Sequence, residues 1–190
     1  MIFHELSSKE SELIYEDDKV SVHTVPLDHR VYTNGFLFKE KPFERKLDIQ
    51  KAEALHIDKA YFRKLKQGQD VVNDDGTLIP NAEVTFEGHQ PKSYAFCSDT
   101  AYKEDIIPII KDVDVLYHES TFLDAHQHLC AKTKHSTAKQ AATIALKANV
   151  KQLILGHYST RYGSLEGFKS EAETVFKSVL LADDGKVFDF

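Results

Sequence analysis

Three polar side chains stand directly beyond short apolar stretches of the sequence. Asp99 follows YAFCS, His157 follows LILG and His29 follows VPLD. In layered α/β folds, ligand-binding groups converge at strand ends, and neutral imidazole and carboxylate suit zinc and related ions. A carboxylate can also bridge two metals. The pattern makes these three residues candidate metal ligands, although Asp99 with Thr100 can equally cap a following helix and either histidine can be purely structural.

A second set of residues has the types needed for proton transfer and phosphate binding. Glu119 lies in HEST after an apolar stretch, and His135 lies in KHSTAKQAA just before a helical pattern. A carboxylate that orients an imidazole makes a proton donor for a leaving oxygen. Arg161 in HYSTRY has the fork geometry that binds phosphate bidentately. The alternatives are that His135 only precedes a helix cap and that Arg161 is a solvated surface charge.

Other motifs that carry chemistry are weak or absent in the sequence. The chain has ten histidines, and histidine is the commonest metal ligand. His126 and His128 in DAHQHLC lie in a polar stretch with no following Asp-His, so we assign them no ligand role. The sequence contains no Gly-rich phosphate loop and no serine nucleophile elbow.

The hydropathy pattern predicts the elements that position these residues. Alternation of apolar and polar residues predicts a meander of short antiparallel strands in the first 40 residues, at 2–5, 13–15, 20–25 and 35–38. From Lys92 onward the pattern becomes strand–helix–strand, which is typical of an α/β layered domain. The predicted strands there are 94–97, 113–117, 153–155 and 187–190, and the predicted helices are 103–111, 137–148 and 168–180.

Composition predicts one globular domain of 190 residues. Apolar residues make up 42% and charged residues 28%, and the net charge is −6, which argues against a generally basic nucleic-acid-binding protein, and we expect no DNA partner. We expect no membrane association, because no apolar run approaches the length of a membrane span. Cys97 and Cys130 cannot form a disulfide framework, so we expect a cytoplasmic location.

Residues 39–69 differ from the rest of the chain in charge. They carry nine basic and five acidic side chains, a net charge of +4 in an otherwise acidic protein. Such a segment predicts an insertion that contacts a polyanion, with Tyr61 and Phe62 as apolar anchors. A solvated amphipathic pair of helices is the alternative.

Five motifs taken together, in this order, resemble ribonuclease Z, the tRNA 3′-processing endonuclease of the metallo-β-lactamase superfamily. They are PLDHRVYTNGFLF, FCSDT, DVLYHESTF, KHSTAKQAA and LILGHYSTRY. The resemblance implies an α/β fold equal to the second half of a metallo-β-lactamase αββα sandwich, with a mixed sheet and flanking helices. It also implies that residues 39–69 take the place of the family's tRNA-binding arm, and that the protein is a homodimer acting on precursor tRNA.

The same resemblance implies roles for the site residues. His29 would bind one zinc ion, His157 the other, and Asp99 both. Glu119 and His135 look like the pair that protonates the leaving oxygen, and Arg161 matches an arginine near the scissile phosphate.

The sequence departs from the family at one motif. No His-x-His-x-Asp-His segment, which supplies further zinc ligands in the family, occurs in the 190 residues. We therefore expect the C-terminal half of a ribonuclease Z, with weak or absent zinc binding and no cleavage by this chain alone. The alternatives are another phosphodiesterase or hydrolase of this fold and a non-catalytic module for RNA binding or dimerisation.

Overall fold

A computed structural model describes residues 3–190, which begin with an antiparallel meander. Its strands are β1 (Leu13–Glu16), β2 (Val20–Pro26) and β3 (Asn34–Glu40). Three of the four strands predicted in this region are therefore confirmed. The fourth, at residues 2–5, is wrong for its described part, because Phe3 is 85% exposed and residues 3–5 pair with no strand. Ile2 lies outside the described residues.

The next residues, Lys41–Pro91, form a compact unit of their own. In chain order its elements are β4 (Lys46–Leu47), α1 (Ile49–Ala54), a 3₁₀ turn (Lys59–Tyr61), α2 (Phe62–Lys66), β5 (Val71–Val72), β6 (Leu78–Ile79), α3 (Asn81–Val84) and β7 (Thr85–Phe86). Strands β4 and β7 pair, as do β5 and β6, both antiparallel. Aliphatic side chains from these short elements make a separate small core, formed by Ala52, Ile57, Leu65, Val71, Ile79 and Val84.

The remaining elements belong to the same unit as the meander. In chain order they are β8 (Ser93–Cys97), a 3₁₀ turn (Glu104–Ile106), β9 (Val115–Glu119), a 3₁₀ segment (Asp124–Leu129), α4 (Cys130–Thr133), α5 (Ala138–Lys147), β10 (Gln152–Gly156), α6 (Glu166–Glu173) and β11 (Val179–Leu181). None of the helices in residues 3–190 has the length and apolar character needed to cross a bilayer.

One seven-stranded mixed sheet organises this unit, in the order β1-β2-β3-β8-β9-β10-β11. Strands β1 to β8 along this order pair antiparallel, and β8 to β11 pair parallel. One face of the sheet packs on α5 and α6, because Leu116, Leu153 and Leu155 share a buried core with Ile144 and Phe168. Because β8, β9, β10 and β11 run parallel, their carboxyl ends all lie at one edge of the sheet.

The opposite face of the sheet is rich in aromatic side chains. Successive side chains of a strand point to opposite faces, so the neighbours of the core-facing residues form this second face. The Phe96 and Tyr117 rings stack with centroids 4.7 Å apart, and the Phe38 and Tyr94 rings with centroids 6.0 Å apart. Phe38 is exposed. We call this surface the aromatic face, defined by Phe36, Phe38, Tyr94, Phe96 and Tyr117.

Three predicted elements after Lys92 are wrong. The helix at 103–111 is only the 3₁₀ turn Glu104–Ile106, because Pro108 lacks the N–H that a helix interior needs. The helix at 168–180 stops with α6, and its last apolar residues instead form β11 beside β10. With that edge taken by β11, residues 187–190 form no strand and Val187 is 81% exposed.

Candidate metal centre

The site residues are collected at the carboxyl edge of three adjacent parallel strands. Glu119 ends β9, His157 directly follows β10, and Asp99 is the second residue after β8. Asp99 and His157 both have left-handed backbone conformations, with φ of 59° and 57°. Such conformations are unfavourable for residues other than glycine and tend to cluster at functional sites. The fold thus turns both side chains sharply at the end of their strands.

Asp99 lies within reach of both histidines that the sequence singled out. Its Oδ1 is 3.2 Å from His157 Nε2. Donor atoms of His29, Asp99 and His135 all lie within 4.8 Å of one another. His29 Nδ1 donates a hydrogen bond to the backbone carbonyl of Lys134 over 3.0 Å. This contact leaves Nε2 as the ring nitrogen that is free to bind a metal. The structure therefore brings Asp99 close to each of the two predicted histidine ligands, and His135 completes the compact group that contains His29 and Asp99.

Glu119 is the buried hub of the site. Its side chain is fully buried, and Oε1 accepts hydrogen bonds from Thr100 N (2.8 Å) and His135 Nδ1 (2.7 Å). Oε2 accepts from the Thr121 backbone N–H (3.1 Å), the Thr121 hydroxyl (2.7 Å) and Ser136 N (3.1 Å). A carboxylate saturated in this way orients its partners and has little capacity left to hold a metal.

The Glu119–His135 contact shifts both groups toward their charged forms. Burial by itself raises the pKa of the Glu119 carboxyl, but hydrogen bonds from His135, Thr121 and Ser136 outweigh it and hold that pKa below its ordinary value. The hydrogen bond to Glu119 raises the pKa of the His135 imidazole, against the opposing effect of partial burial. His135 is therefore favoured as an imidazolium, which can donate a proton.

His135 lies between the two predicted histidine ligands. Its ring centroid is 5.1 Å from that of His29 and 5.1 Å from that of His157. Because Nδ1 is bound to Glu119, Nε2 is the ring atom available to a substrate or an ion. A proton held there is placed beside the cluster of candidate metal ligands.

Arg161 is held beside this group by an aromatic ring. Its guanidinium lies 5.1 Å from the centroid of the Phe122 ring, and its Nε donates to Ser159 Oγ over 3.2 Å. The Phe122 ring is in turn 6.4 Å from the His135 ring, edge to face. The side chain is exposed, so its fork of N–H groups is open to an anion.

The capping alternatives are decided by the helix ends. Thr137 caps α5 through a capping box with Gln140, while His135 binds Glu119 instead. The turn after Asp99 is preceded by Lys103 and has no side-chain cap, so Asp99 caps nothing there.

Outside this cluster, His126 Nδ1 bonds the Tyr162 hydroxyl over 2.8 Å. Within residues 3–190, neither His126 nor His128 belongs to a candidate metal-binding group.

Four residues that hydrogen-bond to the site residues were not identified by the sequence analysis. Thr100, Thr121 and Ser136 bond to Glu119, and the Lys134 carbonyl bonds to His29. Of these four, Thr121 could have been identified from the sequence, because it lies two residues after Glu119 in the HEST motif. The other three make contacts across 17 to 105 residues of sequence, which no local pattern reveals.

The donor set of the site fits a zinc-type ion. Imidazole nitrogens with a carboxylate oxygen are a common zinc ligand set. Two of the rings have their second nitrogen bonded to the protein, as ligating histidines usually do: His29 to the Lys134 carbonyl and His157 to the Thr121 hydroxyl over 2.9 Å.

No protein-family model matches the chain. Curated proteins do match, over nearly all of its length. Ribonuclease Z of Porphyromonas gingivalis is 41% identical over 181 residues, covering 95% of this chain and 60% of that protein. Ribonuclease Z of Cytophaga hutchinsonii is 45% identical over 185 residues, covering 96% of this chain and 58% of that protein.

The chain is a relative of ribonuclease Z. The resemblance inferred from the five motifs is thereby confirmed. The chain spans about 60% of the length of these ribonuclease Z relatives.

Solved structures confirm the expected fold class. The metallo-β-lactamase fold protein YhfI of Bacillus subtilis has a TM-score of 0.58 at 17% identity, covering 90% of this chain and 50% of that one. The short form of human tRNase Z has a TM-score of 0.56 at 20% identity, covering 95% and 47%. At such identities the likeness shows the fold alone. The mixed sheet with its helices matches half of that fold.

Proposed function

We propose that these 190 residues supply the second half of a metal-dependent endoribonuclease that removes the 3′ trailer from precursor tRNA. The observation that carries the proposal is the strand-end cluster, in which Glu119 holds His135 at 2.7 Å and Asp99 lies 3.2 Å from His157. The similarity to ribonuclease Z supports this reaction class.

In this proposal His29, Asp99 and His157 would hold zinc, and the Asp99 carboxylate would serve two ions. Bound zinc would polarise the phosphate and lower the pKa of a coordinated water. The chain's own groups do the rest. Glu119 orients His135, His135 gives its Nε2 proton to the leaving oxygen, and Arg161 binds a phosphate oxygen beside the Phe122 ring.

The residue 39–69 segment is proposed to contact the tRNA backbone. Arg63, Lys64 and Lys66 are exposed around the buried Leu65 of α2, and none of the three takes part in a salt bridge within residues 3–190. The whole Lys41–Pro91 unit has eight basic and nine acidic side chains. Its positive charge is therefore concentrated before residue 70, which suits a polyanion-binding strip.

The isolated 190 residues are proposed to be inactive. Catalytic zinc usually has three protein ligands, and His29, Asp99 and His157 distributed over two ions give each ion only two. The missing ligands would come from the family's HxHxDH segment. Porphyromonas gingivalis ribonuclease Z has a part that the 190 residues do not span. A fusion of that part to the 190 residues is called the restored enzyme.

The test compares the chain alone with the restored enzyme, on precursor tRNA and on a small phosphodiester. We expect zinc-dependent release of the trailer by the restored enzyme and none by the chain alone. Hydrolysis of the small ester without trailer release would instead favour a small-molecule phosphodiesterase of the same fold. Zinc-dependent trailer release by the chain alone would contradict the proposed division of ligands.

Self-association and a cytoplasmic location complete the proposal. The aromatic face is an apolar patch on one side of the sheet, and such patches favour association. By light scattering, we expect dimers or larger species of the isolated chain at tens of micromolar. A strictly monomeric chain would count against association through this face.

A further inference from the structure

The Thr121 hydroxyl connects the buried carboxylate of the site to a candidate metal ligand. Thr121 is 7% exposed, and its Oγ1 lies 2.7 Å from Glu119 Oε2 and 2.9 Å from His157 Nδ1. A hydroxyl carries one hydrogen, so it can donate to only one of these two atoms. The direction of these two hydrogen bonds decides which nitrogen of His157 carries a proton.

The contacts of Glu119 fix that direction. Oε2 already accepts hydrogen bonds from the backbone N–H groups of Thr121 and Ser136, and Oε1 accepts from Thr100 N and His135. Backbone N–H groups can only donate, so this carboxylate acts as an acceptor throughout. The Thr121 hydroxyl hydrogen therefore points to Glu119, and its oxygen is left to accept a hydrogen bond.

The remaining partner of that oxygen is His157 Nδ1, which must then be the donor. With the proton on Nδ1, the neutral imidazole has a bare Nε2, and this atom faces Asp99 Oδ1 at 3.2 Å. A bare Nε2 is the form that a metal requires. Without the hydroxyl, Asp99 is the one hydrogen-bonding neighbour of this ring within residues 3–190, and it would draw the proton to Nε2, the wrong nitrogen.

We propose that Thr121 is a positioning residue that holds His157 in its Nδ1–H form, so that Nε2 is presented to the metal. The proposal rests on the metal centre proposed above. It also gives Glu119 two tasks, since the same carboxylate orients His135 directly and His157 through Thr121. Substitution of Thr121 should therefore disturb the metal ligand while leaving the Glu119–His135 hydrogen bond in place.

Nitrogen NMR of the histidine rings tests the tautomer directly. The metal-free 190-residue chain is measured at a pH where imidazoles are neutral, as wild type, Thr121→Val, Thr121→Ala and Thr121→Ser. We expect Nδ1 of His157 to be protonated in wild type and Thr121→Ser, and bare in Thr121→Val and Thr121→Ala. Thr143→Val is the matched control, because that hydroxyl bonds a carbonyl on the exposed side of α5.

Zinc affinity of the restored enzyme supplies a second measurement. Loss of an outer partner of a ligating histidine costs roughly 10- to 100-fold in metal affinity, so we expect that decrease for Thr121→Val, with recovery in Thr121→Ser. A bare Nδ1 in wild type, or a tautomer unchanged by both hydroxyl-free variants, would overturn the proposal, as would unchanged zinc affinity. Failure of the wild-type enzyme to bind zinc would refute the metal centre instead, while the ring nitrogens still report on Thr121.

Discussion

The strand-end site and the Lys41–Pro91 unit are built in opposite ways. At the strand ends, polar groups are buried and hydrogen-bonded around Glu119, which is itself fully buried. In the Lys41–Pro91 unit, a small aliphatic core lies inside, while the charged side chains of α2 lie outside. The first arrangement holds side chains in defined positions through buried hydrogen bonds, as proton transfer and metal binding require. The second presents charge without fixing it, which suits contact with a flexible polyanion.

This difference predicts two kinds of mutational effect. A substitution at the strand ends should act on the chemical step or on metal binding and should be large. A substitution of the exposed cations should act on affinity, should be small for each charge and should depend on salt.

The largest effect is expected for Asp99→Ala in the restored enzyme. Loss of the shared carboxylate removes a ligand from both ions, so we expect cleavage of precursor tRNA to fall by more than roughly 1,000-fold, with loss of bound zinc. The measurement is single-turnover cleavage together with zinc content. Asp112→Ala is a matched control, because Asp112 also has a left-handed backbone, with φ of 60°, and its side chain accepts a hydrogen bond from Asn149 outside the site. Full activity of Asp99→Ala would refute its role as a shared ligand.

A smaller effect on the same site is expected for His135→Ala. Removal of a general acid slows a reaction by roughly 100- to 10,000-fold, and we expect zinc content to be retained. A substrate whose leaving group needs no proton should be cleaved at a nearly unchanged rate. Loss of zinc in this variant would instead make His135 a metal ligand, which its free Nε2 beside Asp99 would also permit.

Removal of two exposed cations should have a modest effect of the second kind. In the restored enzyme, Arg63→Ala with Lys64→Ala should weaken precursor-tRNA binding several-fold and reduce the slope of affinity against salt by about 2. Hydrolysis of a small phosphodiester should not change. Lys169→Ala with Lys177→Ala removes the same charge from the other unit and serves as the control. Equal losses on both substrates would contradict the role of this segment.

The smallest effect concerns the pH dependence of stability. Because Glu119 raises the folded-state pKa of His135 above the ordinary 6.5, the imidazolium stabilises the folded chain fully below pH 6.5, and this contribution is lost as pH rises through the folded pKa. The difference in unfolding free energy between wild type and His135→Ala should therefore be larger below pH 6.5 than well above it. Urea unfolding of the metal-free chain measures it, with His128→Ala as an exposed histidine control. If the difference in unfolding free energy instead increased with pH, the proposed Glu119–His135 ion pair would be contradicted.

The sequence predicted the positions of the site residues better than the contacts that hold them. Short apolar stretches located the strands before Asp99, Glu119 and His157, and each of these residues therefore fell at a strand end. Pro108 should have excluded the helix at 103–111, because its effect on a helix interior is local. By contrast, the contact between Ser136 and Glu119 depends on how α5 packs on the sheet, and no nearby residue reveals it. Function-bearing residue types are visible in one dimension, while their buried partners are products of packing.

Metal dependence of the restored enzyme is the most direct test of the strand-end site. The enzyme is stripped with a chelator, assayed for trailer removal from precursor tRNA, and then titrated with zinc. We expect cleavage to be lost on stripping and to return as about two zinc ions bind per chain, at the unchanged cleavage position. Trailer removal that persists in the stripped enzyme would contradict a metal centre built on His29, Asp99 and His157.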